Sequence, residues 1–263
     1  MNVFNYRPPD VEDTSSNECC EYIRTEEVPK TVGGAIVGTT FDGSVPDALD
    51  IILYPYQKPR FNSFYLNGFY NREVGYEYPE QDYTFRWDTT VDENVKANTI
   101  KLTDISNNII LAENIANDNT EAINTGPFKL ETNGSLTFKV EALNNRDESF
   151  SRTARANWYW KIYYGESDLE ELDADGVKGL RASRLSSTPS NIYNLEDGGY
   201  KYICYAKSLG LRTTFKDNGN GNDMAMDDVK ELSIINDYGI ETIYYVHRTF
   251  NTLGGSIDIK VSS

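Results

Sequence analysis

Between Ala154 and Gly165 the chain reads ARANWYWKIYYG, and five of these twelve residues are aromatic. Read as an extended strand, the run sends Trp158, Trp160, Ile162 and Tyr164 to one face and Tyr159 and Tyr163 to the other, because successive side chains alternate. Rings on both faces need cover on both sides, which a strand finds inside a β-sandwich or where two sandwiches meet. Trp158, Trp160, Tyr163 and Tyr164 are therefore the expected residues of a domain joint.

Composition supports a β-rich chain. There are 19 Tyr against 3 Met, and Thr, Ile and Asn are common, a bias that favours strands and turns. A chain of 263 residues buries roughly three quarters of its unfolded surface and holds one large domain or two ordinary ones. The net charge of -16 is spread along the whole length. Such a surface repels phosphate backbones, which argues against a nucleic-acid partner, and keeps a protein soluble at the concentrations an assembly component reaches. Cys19 and Cys20 are adjacent and Cys204 lies in the apolar run YICYA. That spacing supports neither a disulfide framework nor a zinc site, and implies folding in a reducing compartment. The opening MNVFNYRPPD has neither the basic start nor the apolar run of a secretory signal. No segment approaches the roughly 20 apolar residues that span a bilayer, so no membrane partner is expected.

Four regions follow from the pattern. Residues 1–43 carry Pro8-Pro9, an acidic stretch from Glu12 to Glu18, Pro29 and Gly33-Gly34, and read as an extended attachment arm. Residues 44–62 form a short helix and a Pro-rich connector: Ser44 is a cap, Pro46 sits in a first turn, and Pro55 and Pro59 end the helix. Its apolar residues run around much of the circumference, so Leu49, Ile52 and Leu53, with Tyr54 and Tyr56 just beyond, are the candidates for covering by copies of the chain. Residues 63–164 read as a sandwich of about seven short strands, immunoglobulin-like in architecture. Its period-two runs, counted from the end of the connector, are Phe61–Leu66, Tyr83–Trp87, Asn98–Ile105, Ser135–Ala142 and Phe150–Tyr164. Residues 165–263 form a second β-rich domain with a short helical insert opened by a capping box at Ser167-Asp168-Leu169-Glu170. Its strands are expected at Tyr200–Ala206, Leu211–Phe215, Glu231–Ile235, Glu241–Thr249 and Ser256–Val261. The fold class is all-β.

Little in the chain points to a reaction. His247 is the sole histidine and sits inside the strand YYVHRTF, with no glycine-framed serine elsewhere, so it reads as a strand residue and not a catalytic base. The carboxylate pairs Glu170 and Glu171, Asp173 and Asp175, and Asp227 and Asp228 could in principle hydrolyse glycosides. In a chain with 41 acidic residues such pairs arise by chance, and sequence spacing does not set the separation the chemistry needs. The loop DNGNGND, Asp217–Asp223, has oxygen ligands around glycines but lacks the Gly at position six and the Glu at position twelve of a calcium loop; it reads as a turn. No catalytic residue, metal ligand or cofactor is expected.

Five stretches in fixed order carry a resemblance: ALDIILYPYQKPRFNSFYL (48–66), TFRWDTTVDENVKANTI (84–100), FSRTARANWYWKIYYGES (150–167), GGYKYICYAKSLG (198–210) and YYVHRTFNTLGGSIDIKVS (244–262). Together they resemble a family of virion structural proteins of tailed bacteriophages, of the tail-fibre, head-fibre or appendage type. The likeness covers roughly residues 35 to 263. Two departures stand out: His247 replaces an aromatic, and the segment from Phe215 to Val229 is short. The resemblance implies a non-enzymatic, homotrimeric building block exposed on the virion, synthesised in the host bacterial cytoplasm, whose partners are its own copies and other proteins of head or tail. Its alternatives are an adhesin that binds a bacterial surface glycan or receptor, and a capsid decoration, collar or baseplate protein.

Overall fold

The computed structural model describes residues 21–24, 41–44, 49, 52, 53 and 56–262. The chain divides into two compact units, Met1–Lys58 and Pro59–Ser263. In the first, β1 (Glu21–Arg24) and β2 (Phe41–Ser44) pair antiparallel with Glu21 opposite Ser44, and Leu49, Ile52 and Leu53 are helical. Tyr54 lies outside the described residues.

The second unit is all-β, built from two pairs of sheets and a small two-stranded sheet of β5 (Glu77–Tyr78) and β10 (Phe128–Lys129). In the first pair, a three-stranded sheet runs β3 (Phe61–Leu66), β6 (Gln81–Thr89), β9 (Thr120–Thr125). Facing it is a five-stranded sheet ordered β4 (Arg72–Glu73), β12 (Ser149–Tyr159), β11 (Gly134–Leu143), β7 (Ile100–Asp104), β8 (Ile109–Ile115). Alternation explains the core between them. Tyr83, Phe85 and Trp87 of β6 and Leu136, Phe138 and Val140 of β11 are buried, while the residues between them are less so. Phe138 meets Phe85 at 5.9 Å and Phe128 at 5.5 Å, both edge-on, the orientation that the ring quadrupole favours. Burying one such ring stabilises by about 1.5–3 kcal/mol.

In the second pair, the five-stranded sheet is ordered β14 (Ala182–Leu185), β13 (Lys161–Ser167), β16 (Tyr200–Ala206), β19 (Glu241–Arg248), β18 (Lys230–Ile235). It is covered on one face by β15 (Ile192–Leu195), β20 (Ile257–Ser262) and β17 (Thr214–Asp217). Ile162, Ile203 and Tyr205 pack there against Tyr193, Phe215 and Ile259. Tyr163, Tyr202, Cys204 and Tyr244 point the other way and join the core of the first pair. A central strand covered on both faces needs a continuous apolar run, which is what YICYA, residues 202–206 of β16, supplies.

The chain passes from one pair of sheets to the other at Trp160. Strict alternation would put Trp160 on the face of Ile162 and Tyr164. In the structure it shares a core with Trp158 and Tyr163, whereas Ile162 and Tyr164 line the other core. The cause is a break: Trp160 belongs to neither β12 nor β13, so the alternation restarts in a new sheet. A second correction concerns the insert. Ser167 ends β13, and its Oγ only accepts a local bond from the Leu169 amide at 3.2 Å. The helix α1 (Ala174–Lys178) is capped by Asp173, whose carboxylate accepts from Gly176 N at 2.8 Å.

The two pairs of sheets are locked by the hairpin between β18 and β19. Asn236, buried in its turn, accepts from the amides of Tyr238 and Ile240 at 3.0 and 2.9 Å and donates its own amide to Val74 O at 2.6 Å. Gly75 follows Val74 with φ +89°, and a Cβ there would lie 2.6 Å from Ile240 Cγ1 and 2.9 Å from Tyr238 Cβ. Close approach and a left-handed backbone both demand glycine at that point.

Candidate functional site

Of the aromatic residues singled out by sequence, Trp158, Trp160 and Tyr163 lie in the core that both pairs of sheets share, whereas Tyr164 lines the core within the second pair. Trp158 is fully buried, stacks edge-on to Tyr78 at 5.5 Å, and donates from Nε1 to Tyr76 O at 2.8 Å. Tyr163 packs on Tyr244 at 5.8 Å, and Tyr164 on Tyr193 at 5.1 Å. Burial, with the Glu73 charge nearby, pushes the Tyr163 phenol up to about 12. Beside these rings Lys161 Nζ lies 2.9 Å from Glu73 Oε2 and also bonds Asp237. Burial raises the Glu73 carboxyl above its usual range although Lys161 pulls it down. Burial works against the charge on Lys161, and the bonds to Asp237 and Glu73 more than offset it.

The other predicted residues belong to the first unit. Leu49 and Leu53 are 47% and 62% exposed, and Ile52 and Tyr56 are half-buried.

Two of the acidic pairs converge. Glu170, Glu171, Asp227 and Asp228, with Tyr202 and Arg248, line a depression of about 200 Å³. Arg248 is the organising group: it bonds Asp227, lies 3.3 Å from Glu170, and stacks over the Tyr200 ring at 4.5 Å. Lys230 pairs with Glu171. A glycosidic acid needs a carboxyl held above its ordinary range. Here the Arg248 hydrogen bond holds Asp227 below it, and Lys230 does the same to Glu171. The third pair is not here; Asp173 caps α1 and Asp175 lies within it.

His247 is buried in β19 between Tyr205, at 5.2 Å, and Phe215, at 4.7 Å. The Tyr205 hydroxyl accepts from Arg212 N at 2.9 Å and shares a hydrogen bond with His247 Nε2, also at 2.9 Å. Burial pulls the imidazole pKa down to about 4. A base needs access to a substrate proton, and this ring has none. Asp217 closes its own loop: its Oδ1 accepts from Gly219 N at 2.8 Å and its carbonyl from Gly221 N at 2.7 Å. Asp223 is 3.5 Å from Lys216. Among the described residues no group of three or more His, Cys, Asp or Glu is placed to hold a metal ion, and no helix is long and apolar enough to cross a membrane.

Sequence reasoning passed over one constellation. Trp158 pairs in parallel register with Arg72 of β4, and the Arg72 guanidinium lies over three tyrosine rings: Tyr76 at 4.5 Å, Tyr78 at 5.6 Å and Tyr70 at 5.8 Å. The run YNREVGYEY holds all four residues. What it could not reveal is Tyr238, which meets Tyr76 edge-on at 5.6 Å from a distant hairpin.

Comparison of the chain with protein-family models, with curated proteins and with solved structures found no match.

Proposed function

We propose that the protein is a non-enzymatic structural subunit of a bacteriophage virion: a homotrimeric fibre or appendage protein, attached to head or tail through residues 1–43. The observation that carries this reading is the exposure of Leu49 and Leu53, 47% and 62%. Four residues apart on a helical turn, they share one face. Apolar residues repeated at that spacing are the seam by which helices of separate copies associate. The ordered sequence motifs set the class of particle, and the net charge of -16 suits a subunit crowded with its own copies without aggregating.

The immunoglobulin-like reading of the first pair of sheets draws support from Tyr83. Placed early in β6, it donates its hydroxyl to Pro79 O, four residues back, at 2.7 Å. Tyr193 in β15 repeats the device, bonding Pro189 O at 2.7 Å. A tyrosine that staples the backbone just upstream of its strand is a recurrent corner of immunoglobulin-like sandwiches. A structural role is supported by the chemistry too, since Glu170, Asp227 and Glu171 are each paired with Arg248 or Lys230 and the one histidine is buried in a core.

Particles purified from cells that produce the protein test the reading. The intact chain should be detected in them by mass spectrometry, and a variant lacking residues 1–43 should fold and be missing from them. Particles devoid of the intact chain would refute the assignment.

A further inference from the structure

We propose that Arg72, framed by Tyr70, Tyr76 and Tyr78, is the binding site for an acidic saccharide, its guanidinium taking the carboxylate or phosphate and the Tyr70 ring taking a sugar face. The inference does not depend on the virion reading.

The first ground is charge. Among the described residues Arg72 takes part in no ion pair, and its buried Nε has no hydrogen-bond partner. Its guanidinium sits against tyrosine rings and not against a carboxylate. Glu77, the acid between Tyr76 and Tyr78, alternates with Tyr78 along its strand and so projects away from that ring. Glu73 projects to the opposite face of β4 and, like Asp237 next to Tyr238, is bound by Lys161. The guanidinium thus keeps an uncompensated charge and a planar set of donors, the recognition element for a carboxylate or phosphate.

The second ground is rigidity. The Tyr78 hydroxyl accepts from Tyr70 N at 3.0 Å and donates to Tyr70 O at 2.7 Å, pinning the backbone that carries the exposed ring. Tyr76 is held by the Trp158 indole through its carbonyl at 2.8 Å, and Arg72 by its register against Trp158. Groups fixed before a ligand arrives lose little entropy on binding it.

The third ground is the kind of surface. Tyr70 is 68% exposed and Tyr238 is 43% exposed, and the linked amides of Asn157 and Asn71, 3.1 Å apart, adjoin Arg72. An open aromatic face, side-chain amides and one cation suit a hydroxylated ring that carries an acid. An acidic peptide would match the cation and leave the tyrosine faces unused.

The test is a titration of the full chain, followed by NMR or calorimetry, with tetragalacturonate, maltotetraose, glucose 6-phosphate and polyglutamate. Tetragalacturonate or glucose 6-phosphate should bind, the better of the two telling carboxylate from phosphate, and binding should weaken with added salt. Maltotetraose should bind at least about tenfold more weakly. Arg72→Gln should reduce affinity about tenfold, and Tyr70→Ala, at an exposed ring outside the core, about threefold or more. Failure of both acidic sugars to bind, equal binding of maltotetraose, tighter binding of polyglutamate, or unchanged affinity in the Tyr70→Ala protein would overturn the proposal.

Discussion

The Asn236 side-chain amide and the Val74 carbonyl, 162 residues apart in the chain, meet at 2.6 Å inside the protein. The same side chain closes its own hairpin by accepting from Tyr238 N and Ile240 N. One residue therefore shapes a turn and fastens that turn to the other pair of sheets. Asn236→Ala leaves a buried carbonyl and two amides without partners, each costing about 1–3 kcal/mol where water cannot reach. We expect a loss of about 3 kcal/mol or more in denaturant unfolding. A change below about 0.5 kcal/mol, the range of an ordinary surface substitution, would show that the hairpin is held by other contacts.

His247 gives stability a defined pH dependence. Its folded pKa is depressed to about 4, against about 6.5 in an unfolded chain. A histidine buried neutral contributes fully above the unfolded value, and the contribution is lost as pH falls from about 6.5 towards 4, because only the unfolded chain takes up the proton. By pH 4.5 the loss is about 2.5 kcal/mol. In His247→Phe, which keeps a ring against Tyr205 and Phe215, the difference in unfolding free energy between pH 7.5 and 4.5 should shrink by about that amount. An unchanged difference would mean that the imidazole is protonated, or reached by water, in the folded protein.

The two tyrosine staples should be separable from the packing of their rings. Tyr83→Phe and Tyr193→Phe keep the aromatic body and strand a proline carbonyl, at Pro79 and Pro189 respectively. Each should cost about 1–2 kcal/mol, measured by thermal or denaturant melting. Tyr193 is the more deeply buried of the two and should show the larger loss.

Where the chain has one strong periodic signal, the strands were legible. Phe61–Leu66 and Tyr200–Ala206 are strands over those very residues, the first amphipathic, the second apolar from Tyr202 onward. The strands that escaped notice give no such signal. Ile109–Ile115 and Thr120–Thr125 are edge strands with mostly exposed side chains, so no buried face imposes alternation on them. Ala182–Leu185 and Ile192–Leu195 span four residues each, too few to register a period. Serine and glutamate at capping-box spacing drew attention to Ser167, yet the chain there still belongs to β13, and Asp173 does the capping. Of the site, Trp158 was legible because two tryptophans flank a tyrosine in a strand. Arg72 was not, because its meaning comes from the absence of a partner acid, a property of three-dimensional neighbours.

Native mass spectrometry of the full chain at neutral pH bears most directly on the central claim of a self-associating display subunit. The account predicts a species of three times the 29.8 kDa chain mass, falling to the single-chain mass when Leu49 and Leu53 are both changed to glutamate. A wild-type protein that stays at the single-chain mass at micromolar concentration would contradict it.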